Sequence, residues 1–367
     1  MKTAIVGGGI AGLSSAWALT KRGHDVALYE KGPIPNPLSA SGDEHRIIRR
    51  AYGGLSGYAR RIDEAYEAWD ELWADLGEKH LVENGFLIVS QRPGDEAEQY
   101  RDGLRAGGYP LELMCADEAA ARFPFLEAGT FRYAGFSPEG GALLCRKIAA
   151  GLVKWLRNHG AAVHDDTRVT AVDPAGTVTT TEGARDFDLV IVTVGAWVLD
   201  LVPALAGRLT TYRTAVAYFT PPPDLAPAWV GAPVMLDAGA DSDGYAIAPI
   251  GGSGLKLGTG NHKRPAPPDA DRTPAPGEAD AIRKWFAPPL TRLDEYRHEK
   301  TVTCAYTFTA DQRFLMHRRD RLWVVSACSG HGYKFGAAIG RRVARHLPDG
   351  DEEGLRAWLE ARERVDR

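Results

Sequence analysis

Six residues near the start of the chain, Gly7-Gly8-Gly9-Ile10-Ala11-Gly12, constrain its fold more than any other feature. They satisfy the pattern GxGxxG, which says little alone. Here the pattern follows a short apolar run at residues 3–7 (TAIVG). It opens a helix-forming stretch from about residue 10 to 22, with Leu13 and Trp17 four apart on one face. Gly23 ends that stretch as a C-cap glycine does, and residues 25–30 (DVALYE) read as a second strand closing on Glu30. Strand, glycine turn, helix and strand are the opening of a doubly wound α/β sheet. Gly7 permits the tight turn, Gly9 lets the backbone approach a pyrophosphate, and Gly12 lets the helix pack on the sheet. The helix start offers unpaired N–H groups and partial positive charge to phosphates. Glu30 would accept hydrogen bonds from ribose hydroxyls and disfavour a 2′-phosphate. The competing reading is a glycine-rich turn that holds nothing.

Composition narrows the class. Of 367 residues, 44% are hydrophobic and 25% charged, which excludes a disordered chain and allows a large core. Basic residues number 44 and acidic ones 48, so no positive field points to nucleic acid. The four cysteines (Cys115, Cys145, Cys304, Cys328) form no CxxC pair, so neither a zinc ribbon, another metal site nor a disulfide framework is expected. That usage fits a reducing cytoplasm. Residues 3–19 are apolar and follow Lys2, but three consecutive glycines argue against a signal peptide. Elsewhere no apolar run reaches the length of a membrane helix, so no membrane partner is expected.

Along the chain, residues 31–55 read as loop-rich around a basic knot, HRIIRR at 45–50. Tyr58, Ile62, Tyr66, Trp69 and Trp73 mark an amphipathic helix. Residues 85–91 read as a strand, 142–159 as a helix, and 161–164 as a third strand of the first sheet. Strands follow at 168–173, 177–181 and 188–194. Residues 209–260 carry strand formers and no convincing helix, and 262–278 form a Pro-rich exposed loop. Residues 299–309 and 322–327 are strand-like, a helix runs to about 346, and 351–365 read as a charged helix. The expected architecture is mixed α/β. A Rossmann-type dinucleotide-binding domain is assembled from residues 1–80, 142–208 and 300–367. An interleaved β-rich antiparallel domain occupies 81–141 and 209–299.

The fingerprint does not choose between NAD and FAD. Residues 188–197 (DLVIVTVGAW) form an apolar strand ending at Gly195, of a kind that lies beside a flavin cofactor in many flavoproteins. Residues 329–335 (SGHGYKF) place small residues where a second helix N-terminus could face a flavin edge. Each element alone reads equally well as core strand plus turn.

With these pieces placed, the chain resembles the FAD-dependent amino-acid oxidase superfamily, within it the branch of monomeric sarcosine oxidase and N-methyltryptophan oxidase. The likeness rests on VGGGIAG at 6–12, GDEHRIIRRAYG at 42–53, GLKLG at 254–258, and TCAYT (303–307) with SGHGYKF (329–335). It spans nearly the whole chain. It implies a monomer that oxidises a small-molecule amine or amino acid with O2. It implies FAD linked through the sulfur of Cys304, although Val302, Cys304, Tyr306 and Phe308 alternate on one strand face and Cys304 also reads as a core thiol. By resemblance Lys256 is the lysine that activates oxygen, whereas pattern alone makes it an outward-facing strand lysine. Arg49 and Lys334 correspond to the pair that holds the substrate carboxylate, and a guanidinium fork suits two carboxylate oxygens. Arg46 lies against the flavin, and Tyr306 and Tyr245 stand as pocket walls. Lys31, Ile47, Val169, Gly195, Trp197, Gly330, His331, Gly332 and Tyr333 complete the cofactor set that the resemblance implies. On spacing alone, Arg46 and Arg49 would sit one helical turn apart.

The chain departs from the family pattern in four places. The basic knot carries an extra residue (EH at 44–45), Arg50 stands where sarcosine oxidases usually have histidine, and the family's nearby histidine corresponds to His262 or is missing. The Tyr245 segment is one residue shorter than expected. These changes leave the substrate open. Three rivals share the motifs: a dehydrogenase passing electrons to a quinone or carrier, a non-catalytic flavin-binding protein, and an NAD-dependent dehydrogenase.

Overall fold

The computed structural model describes residues 1–53, 56–236, 238–239, 243–326, 328–347 and 349–362. The opening motif builds one side of it. Lys2–Val6 lies between Leu189–Val192 and Asp25–Tyr29, with Leu322–Ser326 and Ala162–His164 outside them, all parallel. Leu315–Arg319 closes one edge antiparallel. Alternation along these strands feeds two cores. Ile5, Leu28 and Ile191 face a helical layer. Ala4, Val6, Val190 and Val192 face the small antiparallel sheet of Val169–Val172, Thr177–Thr180 and Gly183–Asp186.

The helical layer is formed by Ile10–Lys21, Ile62–Leu76, Cys145–Asn158 and Gly336–His346. Trp17 and Trp69 are buried in it. Ile10–Lys21 and Gly336–His346 pack so closely that a Cβ on Gly340 would lie 2.2 Å from the Ser14 carbonyl. That contact carries the second glycine-rich segment up to the first helix start.

A nine-stranded sheet, largely antiparallel, forms the other side. Near one edge Thr210–Thr220 pairs Arg297–Phe308 on one flank and Leu255–Thr259 on the other; Gly244–Ile247 follows. Ala215, Ala217, Phe219, Leu255, Leu257 and Ala246 point into a core of their own. By the period of two, the opposite face presents Thr214, Val216, Tyr218, Lys256, Tyr245, Cys304 and Tyr306. That face looks toward the dinucleotide-type sheet. The mixed α/β architecture expected from the sequence is therefore present.

Several local expectations change. HRIIRR is not a loop or a helical turn: His45–Arg49 is a strand paired with Gly140–Leu144. Its branched Ile47 and Ile48 suit a strand, and Arg46 and Arg49 consequently leave on opposite faces. The helix expected from 142 begins at Cys145, because residues up to Leu144 belong to this small sheet. The aromatic helix is split into Ser56–Ala59 and Ile62–Leu76. Residues 209–260 include a short helix, Ala226–Trp229. The tail helix spans Glu352–Leu359; residues 363–365 of that expectation, and Ala327 of the strand expected at 322–327, lie outside the described residues. The helix Glu96–Gly107 was not anticipated, although Asp95 caps it by accepting from the Glu98 N–H and Gly108 closes it at φ 71°. Among the described residues no helix is long and apolar enough to cross a membrane.

Candidate active site

Two cavities lie between the sheets and share the wall formed by Tyr306. The first, about 420 Å³, runs over the glycine turn. Gly7 adopts φ 109°, and a Cβ there would lie 2.7 Å from the Thr193 carbonyl oxygen. A Cβ on Gly12 would lie 1.9 Å from the Gly7 carbonyl oxygen, so the helix rests directly on the turn. Gly9 caps that helix without a side chain of its own, and Ile10 N–H at its start donates to Ser41 Oγ at 3.1 Å. Glu30 is buried, and its carboxylate accepts from Gly8 N–H at 2.6 Å and Asn36 Nδ2 at 2.9 Å. Gly9, Ile10, Ala11, Glu30, Lys31, Val169, Gly195 and Trp197 all line this cavity together with Gly7. Gly12 packs behind it. Lys31 stands 3.4 Å from the Trp197 ring centroid, and Trp197 Nε1 donates to Asp269 at 2.8 Å. The Pro-rich segment is largely exposed, as expected, and touches the cavity's rim through Asp269. At its end Glu278 is buried against Arg213, with its carboxyl held at about 2 against the pull of burial by hydrogen bonds from Arg213 and His262.

The second cavity, about 770 Å³, is lined by Arg46, Ile47, Arg49, Tyr245, Cys304, Gly330, His331, Tyr333 and Lys334 among the residues singled out from sequence. Tyr245 lies flat because its neighbour across the sheet is Gly258, whose Cβ would come 2.5 Å from the ring. Gly332 packs behind the wall, against Cys328. Lys256 also lies behind it, fully buried; the sheet face turns it inward, contrary to the outward reading of its pattern. His262 is drawn away to Glu278 at 2.8 Å, and Arg50 is bound to Asp63 and Glu139; neither lines either cavity.

The electrostatics of this second cavity are unusual. Arg49 and Lys334 both stand over the Tyr52 ring, at 5.0 and 5.6 Å from its centroid. Lys334 is buried, and desolvation together with Arg49 holds its ammonium well below the ordinary lysine range. Its Nζ donates only to a neutral group, the His331 carbonyl, at 3.0 Å. Arg49 Nη1 is buried without a partner, and Nη2 reaches the Tyr100 hydroxyl at 3.4 Å. His331 is enclosed by Tyr58, Phe314 and Phe335; burial and Lys334 push it down to about 3, so it is neutral.

Sequence reasoning missed four lining or adjoining residues. Asp43 and Tyr52 fall within the motif at 42–53, which assigns neither a role. Tyr52 and Tyr100 form the aromatic seat of Arg49. Asp243 lines the cavity. The Asp95 cap signal would have placed Glu96 and Tyr100 on one helix. No local signal marks Asp243.

The glycine turn, the cavity over it and the second cavity beside it fit a flavin-dependent oxidoreductase. The chain belongs to the FAD-dependent oxidoreductase family, whose model matches residues 2–346. It is 24% identical over 356 residues to peroxisomal sarcosine oxidase of Homo sapiens, covering 92% of this chain and 89% of that protein. It is 25% identical over 357 residues to N-methyl-L-tryptophan oxidase of Yersinia pestis, covering 94% of each. Among solved structures, L-proline dehydrogenase from P. horikoshii superposes with a TM-score of 0.82 at 20% identity, covering 98% of this chain and 96% of that one. Glycine oxidase from Bacillus cereus superposes at 0.80 and 19% identity, covering 100% and 99%. The last two establish the fold.

Proposed function

We propose that the protein is an FAD-dependent oxidase of a secondary amine bearing a carboxylate, such as an N-methyl or cyclic amino acid. The observation that carries this is the Arg49–Lys334 pair: a half-buried guanidinium and a buried amine over one aromatic ring, with Arg49 Nη1 unpaired among the described residues. A carboxylate would satisfy both. The fork of Arg49 takes its two oxygens while Lys334 donates from the side. Tyr245 and Tyr306 then confine the amine against the flavin ring, and the enclosing walls exclude water. No ionisable base is required if the amine reacts in its neutral form.

FAD, when bound, accepts a hydride equivalent from the carbon next to nitrogen and delivers two electrons to oxygen, giving peroxide. Gly9, Ile10 and Glu30 are suited to its pyrophosphate and ribose. Cys304, on the cavity wall, is suited to a thioether link with the ring. Burial raises the Cys304 thiol, while Arg46, Lys256 and Arg272 pull it back toward the thiolate needed for bond formation. Lys256 supplies positive charge on the oxygen side. In this reading residues 1–80, 142–208 and 300–367 serve the cofactor, and 81–141 and 209–299 shape the substrate side.

The test is a panel of N-methyl and cyclic amino acids beside their amides, assayed for peroxide. Peroxide equal to amine consumed, from the acids alone, supports the reading. Turnover that needs a quinone and yields no peroxide would make the protein a dehydrogenase. Equal rates with the amides would remove the carboxylate site.

A further inference from the structure

Behind the wall of the second cavity, one carboxylate holds two cations. Asp43 and Lys256 are buried, with side-chain exposures of 5% and 0%. Lys256 Nζ donates to Asp43 Oδ2 at 2.5 Å and to the His45 carbonyl at 3.0 Å. Arg46 Nη1 donates to the same Oδ2 at 2.8 Å, and the Tyr218 hydroxyl donates to Oδ1 at 2.7 Å. The arrangement is built by the fold. Tyr218 and Lys256 are cross-strand partners and so leave the sheet side by side. Asp43 arrives from the turn that precedes His45–Arg49. Arg46 reaches the cavity, and Lys256 stands directly behind it.

We propose that Asp43 is a positioning residue for the oxidative half-reaction, holding Lys256 protonated and fixed beside the flavin so that the positive charge there does not titrate over the working pH range. This rests on the reading of Lys256 as the oxygen-side cation. A lysine buried beside an arginine is driven toward its neutral form by both desolvation and repulsion, and Asp43 is the group that opposes this. Among the described residues no other carboxylate lies within ion-pair distance of the amine. His45 is neutral, pushed down to about 3 by burial and by Lys256. Glu44 is turned to Lys300 at 2.8 Å, and Lys300 itself lies over Tyr218. Cys145, Cys304 and Tyr245 are all raised by burial and carry no charge near neutrality. Arg46 adds only positive charge.

The experiment compares the FAD-loaded parent with Asp43→Asn, Asp43→Glu and Lys256→Met. Two readouts need no amine substrate: reoxidation by oxygen after dithionite reduction, and the affinity of the oxidised flavin for sulfite, which senses positive charge beside the ring. Both are measured between about pH 6 and pH 9. The parent and Asp43→Glu should reoxidise at rates nearly independent of pH. Asp43→Asn should match the parent within about threefold at the acid end and fall roughly tenfold or more toward the alkaline end as the unpaired lysine deprotonates. Lys256→Met should be slow and flat. Sulfite affinity, taken relative to the parent, should show the same contrast. An Asp43→Asn profile that parallels the parent, or that is lowered equally at every pH, would overturn the proposal. If the parent itself is not reoxidised by oxygen, the oxidase reading fails, and the sulfite profiles alone decide the role of Asp43.

Discussion

Lys334 should lower the stability of the free protein while it serves the ligand, and Lys334→Met separates the two effects. Its ammonium is buried, donates to no anion, and shares the Tyr52 ring with Arg49. Their distances from one ring centroid put the two charges no more than about 11 Å apart, a repulsion of at least about 1.5 kcal/mol at an effective dielectric of about 20, before any desolvation cost is added. Methionine fills a similar volume without the charge. The variant should therefore melt a few degrees higher in the absence of substrate. The sign with pH follows from the depressed ammonium: the folded state binds this proton less readily than the unfolded chain, so the parent loses stability as pH falls. The gain of the variant over the parent should accordingly widen toward acid pH. Binding should move the other way. A charged hydrogen bond is worth about 1.5–3 kcal/mol, so the KM for a carboxylated amine should rise roughly 10- to 100-fold. Calorimetric melting at several pH values, with and without substrate, and steady-state kinetics read both effects. A variant that melts lower at every pH and keeps its KM would refute the reasoning.

Cys304→Ser should keep FAD bound but release all the flavin to the supernatant on acid precipitation, whereas the parent pellet stays yellow; flavin freed from the parent would remove the thioether link. Lys256→Met should keep its anaerobic rate of flavin reduction and lose up to about three decades of oxygen reactivity, the value of roughly 4 kcal/mol for a charge pair at close range; unchanged reoxidation would contradict that role. Gly12→Ala should yield protein that neither holds FAD nor melts cooperatively, since its Cβ would overlap the Gly7 carbonyl at 1.9 Å; normal FAD loading would show that the turn can yield.

The parts of this molecule legible in its sequence were those with local cause. The glycine turn and its flanking strands read correctly because chain direction, φ requirements and helix start are all set within thirty residues. The apolar strands expected at 188–194 and 322–327 appear as Leu189–Val192 and Leu322–Ser326, because burial on both faces leaves a continuous apolar run. What failed depended on distant partners. HRIIRR is a strand because Gly140–Leu144 lies beside it nearly a hundred residues on. Lys256 alternates like a solvent-facing residue, and the face it shares with Cys304 and Tyr245 is buried only because a second sheet covers it. The Asp43–Lys256 contact spans 213 residues. Nothing local marks Asp43 as more than a turn residue. Arg49 and Lys334 were named through family resemblance; their meeting over Tyr52 is a tertiary fact.

The most direct test of the whole account is the visible spectrum of the purified protein mixed anaerobically with N-methyl and cyclic amino acids, then opened to air. The account predicts a yellow protein whose flavin band bleaches with at least one of them and returns in air with one peroxide per flavin. A yellow protein that no carboxylated secondary amine bleaches would contradict it.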